Sequence, residues 1–343
     1  MKQEPFIIGD VEVAAGSRVT VDLPAADLYI HTGMNLTAHV IHGRRPGPRL
    51  FVSAALHGDE INGVEIVRRL LKRKVLASLK GTLVAIPVVN SLGFIHQSRY
   101  LPDRRDLNRV FPGSSNGSLA ARLAHLFMEE IAARCTHGID LHSGSNHRSN
   151  MPHIRAAIDD EQTRRLASAF GAPVVVNAKI LDGSLREAVS ERGIPVLLYE
   201  AGEALRFDEL SIRTGMRGIL AVMRTIGMLP QKERKGGSSV FYSPTSKWVR
   251  APISGIVGSR VRTGAVVGKG DLLCMVSDPY GEVEEEVRAP LSGVVLGRLE
   301  LPLVYRGDAM FHIAVLEGDV EGAELIEALA TELSQDDYRQ PSP

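Results

Sequence analysis

The chain has 343 residues, enough for about two domains with apolar cores of their own, and this length excludes a single small module. Its 44% hydrophobic and 23% charged residues are ordinary for a globular protein and exclude an extended disordered chain. Because 40 basic side chains balance 40 acidic ones, no overall field favours nucleic acid or an anionic membrane as a partner.

The N-terminal part of the sequence lacks the basic and apolar regions of a secretory signal. No apolar run in the chain approaches the roughly 18 residues of a membrane span. We therefore expect a soluble, cytoplasmic protein with no membrane partner, and the sequence leaves a homo-oligomer open. Residues 1–45 contain strand-like segments such as SRVTVDL, which lead into the first domain.

Short apolar runs alternate with amphipathic stretches between residues 50 and 228. This alternation is typical of an α/β sheet covered by helices. Buried strands are predicted at residues 50–56, 83–89, 138–141, 174–176 and 196–199. Amphipathic helices are predicted at residues 61–74, 118–135 and 208–227.

The composition changes after the last of these helices. Residues 231–240 combine charge, glycine and serine without periodicity, and we predict a linker there. It separates an α/β domain, residues 1–230, from a β domain, residues 241–320. Residues 321–343 are predicted to form a short helix and a flexible tail.

The second domain contains an internal repeat. RAPISGIV at residues 250–257 returns as RAPLSGVV at residues 288–295. Each half alone could not cover its apolar face, so the duplication predicts a small pseudo-symmetric β-barrel or sandwich.

A histidine and a carboxylate, His57 and Glu60, stand where the strand at residues 50–56 ends and a helix begins. His142 follows the end of another strand, residues 138–141. Ligands of open α/β sheets bind outside the carboxyl ends of the strands, so the three side chains are expected to converge on one cation. Two His and one Glu leave a position of tetrahedral zinc open for water, the pattern of a catalytic zinc. An isolated HxxE motif would instead indicate the start of a surface helix. The position of this motif at the end of a strand, and His142 as a distant third ligand, favour the metal site.

Two other histidines, His147 and His153, are rival ligands close to His142. They follow the strand end and do not terminate it. We therefore expect them to be loop residues or contacts at the rim of the site.

Glu200 ends the strand at residues 196–199 on the same predicted edge of the sheet. A partly desolvated Glu has a pKa suited to taking a proton from a metal-activated water and returning it to a leaving nitrogen. The alternative is a carboxylate that only caps the next turn. Glu203 competes less well for the same role because it lies beyond the glycine.

A loop at residues 98–113 carries four arginines, Arg99, Arg104, Arg105 and Arg109. Arginine pairs bidentately with carboxylates, and a cation near the metal can stabilise an oxyanion. Asn108 and Arg109 precede two apolar residues, which favours an inward orientation for both. Which of the other arginines faces the oxyanion is left open by the loop sequence.

Four motifs in order, HGDE at 57–60, DLNR at 106–109, DLHSG at 140–144 and YEAG at 199–202, resemble the succinylglutamate desuccinylase/aspartoacylase family. This family is a deacylase branch related to zinc carboxypeptidases. The resemblance covers about residues 50–202. It implies a mixed sheet with helices on both faces and one zinc ion per subunit, held by the residues already singled out, His57, Glu60 and His142.

The resemblance also implies roles for other residues. Glu200 would be the general base and then acid, and Arg99 would polarise the scissile carbonyl and hold its oxyanion. Asn108 and Arg109 look like the pair that binds a substrate carboxylate, and Arg186 resembles a second arginine with that task. The implied partner is a small N-acyl compound with a carboxylate, with the acyl group and the amine half left open.

The duplicated β domain resembles biotinyl/lipoyl-like barrels. Lys269 lies in a Gly-Lys-Gly turn without the flanking residues of a carrier lysine, so we interpret the domain as a wall of the cleft. The sequence thus predicts a zinc-dependent hydrolase that cleaves the amide bond of a small N-acyl amino acid or amine. The alternatives are a zinc carboxypeptidase acting on peptides and a non-catalytic carrier or binding module.

Overall fold

The structure is a computed structural model that describes residues 3–178, 181–231 and 240–316. Most of the linker predicted at residues 231–240, and the helix and tail predicted at residues 321–343, lie outside the described residues. Within the described part of the chain, every helix is too short or too polar to cross a bilayer.

Of the first ten strands, the first two pair with each other in a small separate sheet, and the other eight belong to one large mixed sheet. They are β1 (Phe6–Ile8), β2 (Val11–Val13), β3 (Arg18–Asp27), β4 (Gly33–His42), β5 (Arg45–Ala54), β6 (Lys80–Ile86), β7 (His137–Gly144), β8 (Arg148–Ala156), β9 (Val174–Asn177) and β10 (Val196–Glu203). Strands β6, β5, β7 and β10 are parallel neighbours in that order. On one side β4 and β3 extend the sheet antiparallel, and on the other β8 pairs antiparallel with β10.

Helices cover both faces of this sheet, as predicted. They are α1 (Asn62–Leu71), α2 (Ser91–Ile95), α3 (Leu119–Leu126), α4 (Glu161–Phe170), α5 (Leu185–Glu191) and α6 (Glu209–Thr225). One apolar core lies beneath α1, α4 and α6, and a second lies beneath α3 and α5. The side chains of Asp160, Ser184 and Asp208 cap α4, α5 and α6 by accepting backbone N–H bonds, which fixes where these helices begin.

Nine further strands are described in the C-terminal region; five of them extend the same large sheet, and the other four form a second sheet. They are β11 (Phe241–Ser243), β12 (Ser246–Arg250), β13 (Gly255–Val257), β14 (Val266–Val267), β15 (Leu272–Ser277), β16 (Glu284–Arg288), β17 (Gly293–Leu299), β18 (Leu303–Val304) and β19 (Ala309–Val315). Strand β17 pairs antiparallel with β8, and β19 and β12 follow it. The sheet is therefore continuous across the predicted domain boundary.

A second sheet of β16, β15, β13 and β18 packs against these C-terminal strands around its own apolar core. The first copy of the repeat runs from β12 in the large sheet to β13 in the small one. The second copy runs from β16 in the small sheet to β17 in the large one. The two copies thus cross between the two sheets in opposite directions, which agrees with the predicted pseudo-symmetric sandwich.

The predicted strands and helices are present, with differences at their ends. The strand predicted at residues 83–89 ends at Ile86, and the helix predicted at residues 118–135 changes after Leu126 into a π-turn and a 3-10 turn. Strand β8 was not predicted. Its sequence, RSNMPHIRA, has neither a continuous apolar run nor regular alternation.

Candidate active site

The carboxyl ends of β5, β7 and β10 lie side by side below a cavity. His57 follows β5, His142 lies near the end of β7, and Glu200 is opposite His142 in the pairing of β10 with β7. A Cβ at Gly58 would collide with the backbone of Gly93, so the turn after β5 requires glycine at this position. The parallel sheet thereby brings together side chains that are far apart in the sequence.

His57, Glu60 and His142 form a compact buried group. Glu60 Oε1 lies 2.8 Å from His57 Nδ1, and Glu60 Oε2 lies 2.7 Å from His142 Nδ1. The potential ligand atoms of the three residues all lie within 4.8 Å of one another. This is the group of side chains that the sequence predicts to meet around one cation.

Two carboxylates hold the imidazoles from their outer sides. His57 Nε2 lies 2.9 Å from Asp106 Oδ1, and His142 Nε2 lies 2.8 Å from Asp140 Oδ2. Ser53 Oγ donates to the other oxygen of Asp140 at 2.7 Å. An imidazole that donates its Nε2–H to a carboxylate keeps a lone pair on Nδ1, which here faces the centre of the group.

Sequence reasoning gave no role to Asp106 or Asp140, although both belong to the quoted motifs. Asp140 stands two residues before His142 in a strand, so both side chains are on one face, and this spacing is the signal that could have found it. Asp106 lies in a loop, and no local pattern connects it with His57.

The protonation states of His57, Glu60 and His142 depend on one another. Burial lowers the pKa of His57 and of His142, but the carboxylates around them raise both above their usual value. Burial raises the pKa of Glu60, but the two imidazoles outweigh it and hold that pKa well below its usual range. The group therefore contains an ionised carboxylate and two imidazoles that bind either protons or a cation.

Arg99 lies beside this group. Its Nη2 and Nε donate to Asp106 Oδ2 at 2.9 and 3.1 Å, and its Nη1 lies 3.3 Å from Glu60 Oε1. Arg104 and Arg105 are exposed, and neither is among the residues that line the cavity. Of the three arginines left open by the sequence, Arg99 is the one that the structure brings to the site.

Asn108 and Arg109 line the cavity from the loop that follows. Asn108 is buried, and its Oδ1 accepts a hydrogen bond from Leu185 N at 2.9 Å. Arg109 is exposed, and its Nη1 donates to the Asn108 carbonyl oxygen at 2.7 Å. The predicted inward orientation thus describes Asn108 better than Arg109.

Arg186 also lines the cavity, from helix α5. It is 5% exposed, and its Nη1 donates to the Ala178 carbonyl oxygen at 2.9 Å. Burial, helped by the nearby charge of Arg155, lowers the pKa of Arg186 to about 10. The side chain therefore remains charged at neutral pH.

Glu200 lines the cavity next to the buried histidines. Its Oε2 accepts a hydrogen bond from Asn150 Nδ2 at 3.1 Å, and burial raises its pKa. Glu203 is not among the residues that line the cavity, and it pairs with Arg206 at 3.2 Å. These positions favour Glu200 over Glu203 as the carboxylate next to the metal group.

The cavity has a volume of about 230 Å³. Part of its wall comes from β8 and from two C-terminal strands, β12 and β19. Five of these wall residues had no role in the sequence analysis: Arg148, Asn150, Arg155, Trp248 and His312.

His153 lines the cavity, as a contact of the site would, but it lies in a strand and not in a loop. It lies within β8, is 1% exposed and has Nδ1 at 2.8 Å from the Met151 carbonyl oxygen. Burial lowers its pKa to about 4. His147 is an exposed residue before β8, in line with the expected loop position.

The residues around Glu60 fit a zinc ion. Two imidazole nitrogens and a carboxylate oxygen are ligands that zinc prefers, and three protein ligands are typical of sites that leave one position open. The outer carboxylates Asp106 and Asp140 fix the imidazole orientations, as outer partners of zinc-bound histidines do. The His–Glu–His group could therefore hold a metal ion.

A family model of the succinylglutamate desuccinylase/aspartoacylase catalytic domain matches residues 46–226, more than half of the chain. The chain belongs to this family. The match includes all four motifs on which the resemblance was based, and the predicted family is confirmed.

Relatives in this family extend the comparison. The N-alpha-acetyl-L-2,4-diaminobutyric acid deacetylase of Halomonas elongata is 27% identical over 246 residues, which are 68% of this chain and 72% of that protein. The product-bound structure of the ectoine utilization protein EutE (DoeB) from Ruegeria pomeroyi has a TM-score of 0.80 at 24% identity, and the similarity covers 92% of this chain and 98% of that one. A succinylglutamate desuccinylase/aspartoacylase from Rhodobacter sphaeroides has a TM-score of 0.79 at 24% identity, and the similarity covers 88% of this chain and 96% of that one. The fold thus extends over most of each chain.

Proposed function

We propose that the protein is a zinc-dependent deacylase that cleaves the amide bond of a small N-acyl amino acid or N-acyl amine. The observation that carries the proposal is the buried group of His57, Glu60 and His142 in a cavity with Glu200 beside it. The name of the Halomonas elongata relative, a deacetylase of an N-acetyl amino acid, supports this class of reaction.

His57, Glu60 and His142 would hold the ion, one per subunit. When bound, zinc supplies Lewis-acid polarisation of a carbonyl oxygen and makes water acidic enough to attack at neutral pH. Glu200 takes the proton of the attacking water and delivers it to the departing nitrogen. Its raised pKa suits both halves of this transfer, and the hydrogen bond from Asn150 orients it.

Arginines bind the negatively charged groups of the substrate. Arg99, held by Asp106, directs its Nη1 towards the metal group and is placed to stabilise the oxyanion that forms there. Asn108, Arg109 and Arg186 bind a carboxylate of the substrate from the other elements that line the cavity. The products are a free carboxylic acid and an amino acid or amine.

The C-terminal region favours small substrates over peptides. Trp248 of β12 and His312 of β19 line the same cavity as the metal group, and their rings stack with centroids 4.5 Å apart. We propose that residues 241–320 form a domain that closes the cleft of a catalytic domain at residues 1–230. A cytoplasmic location and assembly with further copies of the chain remain predictions.

Hydrolysis of a panel of N-acetyl, N-succinyl and N-formyl amino acids by zinc-loaded protein tests the proposal. We expect at least one compound to release its amine in a chelator-sensitive reaction, and a decapeptide to be trimmed far more slowly. Rapid trimming of the decapeptide would support the carboxypeptidase, and a zinc-loaded protein that cleaves neither class would contradict a hydrolase.

Asp140→Asn is expected to weaken zinc binding by about 10- to 100-fold, because it removes the negative charge behind His142. Competition with a chelating indicator measures the affinity. Asp159→Asn, at an exposed position, is the control and should bind zinc like the wild type. Unchanged affinity in Asp140→Asn would contradict the role of this carboxylate.

Zinc affinity is expected to fall as the pH is lowered. His57 and His142 must lose their protons to bind the ion, and their pKa is raised above the ordinary value of about 6.5, so the loss of affinity begins above that pH. Glu60 stays ionised in this range. Calorimetry in buffers of different ionisation enthalpy should detect proton release on binding; a pH-independent affinity without proton release would contradict the histidine ligands.

A further inference from the structure

His153 lines the cavity and has no part in the function proposed above. The register of β8 with β10 places it directly opposite Glu200. Residues opposite each other in an antiparallel pair have their side chains on one face of the sheet, with Cβ atoms about 4.5 to 5.5 Å apart. The His153 imidazole is therefore a neighbour of the carboxylate that would deliver a proton to the departing nitrogen.

One hydrogen bond fixes which nitrogen of the His153 ring carries a proton. Nδ1 lies 2.8 Å from the Met151 carbonyl oxygen, and a carbonyl oxygen only accepts, so Nδ1 is the donor. Burial lowers the pKa of His153 to about 4, so the ring is neutral at pH 7 and holds no second proton. The other nitrogen, Nε2, therefore presents a lone pair.

The lone pair of His153 Nε2 has no partner within the protein. This nitrogen makes no hydrogen bond or ion pair with any residue that the structure describes. The residue is almost completely buried, yet Nε2 is not one of the unpartnered side-chain atoms that are closed off from solvent in the described part of the chain. The small accessible part of the ring thus includes Nε2, and the ring lines the cavity.

Two hydrogen-bond acceptors thus lie side by side in the cavity. An ionised Glu200 has only acceptor oxygens, and the hydrogen bond that its Oε2 receives comes from Asn150 and not from His153. Acceptors that have lost their contact with water are costly unless a donor reaches them. A nitrogen of the substrate that carries a hydrogen atom is a donor that both side chains can contact.

We propose that His153 Nε2 accepts a hydrogen bond from the N–H of the scissile amide and holds the departing nitrogen beside Glu200. A secondary amide keeps its own N–H throughout the reaction and gains a second one when Glu200 delivers its proton. His153 can therefore retain its bond during the transfer. Esters and tertiary amides have no such N–H, so His153 selects secondary amides as substrates. This inference rests on the proposed amide hydrolysis.

Two substitutions distinguish this role from a structural one. His153→Asn has an amide N–H close to the position of Nδ1, so it can keep the bond to the Met151 carbonyl oxygen but loses the acceptor in the cavity. His153→Gln has a longer side chain, which can place its amide oxygen close to the position of Nε2. Binding of the substrate N–H predicts an impaired Asn variant and a less impaired Gln variant, and a structural role predicts the reverse.

Kinetics with matched substrates measure the effect. The N-acyl amino acid that is cleaved fastest in the panel above is compared with the ester in which oxygen replaces its N–H. His153→Asn should lower kcat/KM for the amide by about 10- to 100-fold, because the N–H loses its acceptor in the cavity, and should leave the ester within about 3-fold. His153→Gln should recover part of the loss. His96→Gln, an exposed histidine that does not line the cavity, is the control and should match the wild type.

Binding gives a second readout that does not need turnover. Trp248 is the single tryptophan of the chain and lines the cavity, so its fluorescence reports ligand binding there. The probes are a phosphonamidate, which has an N–H next to phosphorus, and the phosphonate ester of the same shape, which has oxygen there. We expect the zinc-loaded wild type to bind the phosphonamidate at least about 10-fold more tightly, and His153→Asn to bind the two within about 3-fold of each other.

The outcomes separate the two proposals. A preference for the phosphonamidate that depends on His153, in a protein that hydrolyses no amide, would support the hydrogen bond and contradict the deacylase. A folded His153→Asn protein that hydrolyses amides and distinguishes amide from ester as strongly as the wild type would overturn the role of His153 and leave the deacylase in place. A Gln variant that is more impaired than the Asn variant would also overturn it.

Discussion

Glu200→Gln is expected to lower kcat for amide hydrolysis by about 10²- to 10⁴-fold while the zinc content stays at the wild-type level. The amide side chain keeps the size of the carboxylate but cannot accept the proton of the attacking water or return it to the leaving nitrogen. Because Glu200 is not one of the three side chains that converge on the ion, the variant should still bind zinc. Steady-state kinetics and metal analysis of the same preparation measure both quantities.

Glu203→Gln is the matched control. Glu203 lies on the same strand three residues later, but it pairs with Arg206 and is not among the residues that line the cavity. Its variant should retain kcat within about 2-fold, because the half-buried Glu203 side chain does not reach the cavity. Near-normal turnover of Glu200→Gln with full zinc content would reject Glu200 as the base.

The environment of Glu200 also predicts the acidic limit of activity. Burial raises its pKa, and a base must be ionised to accept a proton, so kcat/KM should decline as the pH falls through this raised value. His153 and His312 are buried with lowered pKa values and stay neutral across this range. The decline therefore belongs to groups at the metal and to Glu200, and not to the histidines of the cavity wall.

The positions of His57, His142 and Glu200 could be predicted because each lies at the end of an apolar run, and Glu60 follows His57 by three residues at the start of a helix. Parallel strands place their carboxyl ends at one edge, so a sequence that marks strand ends also marks side chains that meet. The register of β10 with β7 brings Glu200 opposite His142, which agrees with this reasoning. The role of each residue in the reaction remains a proposal.

The wall of the cavity could not be predicted in the same way. Strand β8 has its polar residues His153 and Arg155 on the side of the site, so its sequence looks like a loop. Its pairing with β17 joins Asn150 to Gly297, far away in the sequence, and no local pattern encodes such a contact. A Cβ at Gly297 would collide with Asn150 Oδ1, which explains a glycine inside a strand only once the partner is known.

Glu60→Gln is expected to abolish both zinc binding and hydrolysis. The Glu60 carboxylate places one oxygen at 2.8 Å from His57 Nδ1 and the other at 2.7 Å from His142 Nδ1, and an amide replaces one oxygen by a nitrogen that cannot act as a ligand. The negative charge that attracts the cation is lost as well. We expect zinc affinity to fall by more than about 100-fold, beyond the loss typical of an outer-sphere change. Metal analysis after gel filtration should find the ion in the wild type but not in the variant.

Glu65→Gln, five residues after Glu60, is the matched control. It distinguishes the effect of losing a metal ligand from the effect of losing a buried carboxylate. Glu65 is 7% exposed and receives hydrogen bonds from Arg68 and Arg69, which lower its pKa to about 2, but it does not line the cavity. Its variant should be less stable and still bind zinc, because its partners lie on the outer side of α1. If Glu60→Gln bound zinc as tightly as Glu65→Gln does, the ion could not be held by the group of His57, Glu60 and His142. The role of Glu200 as the carrier of the proton from the attacking water would then have to be abandoned as well.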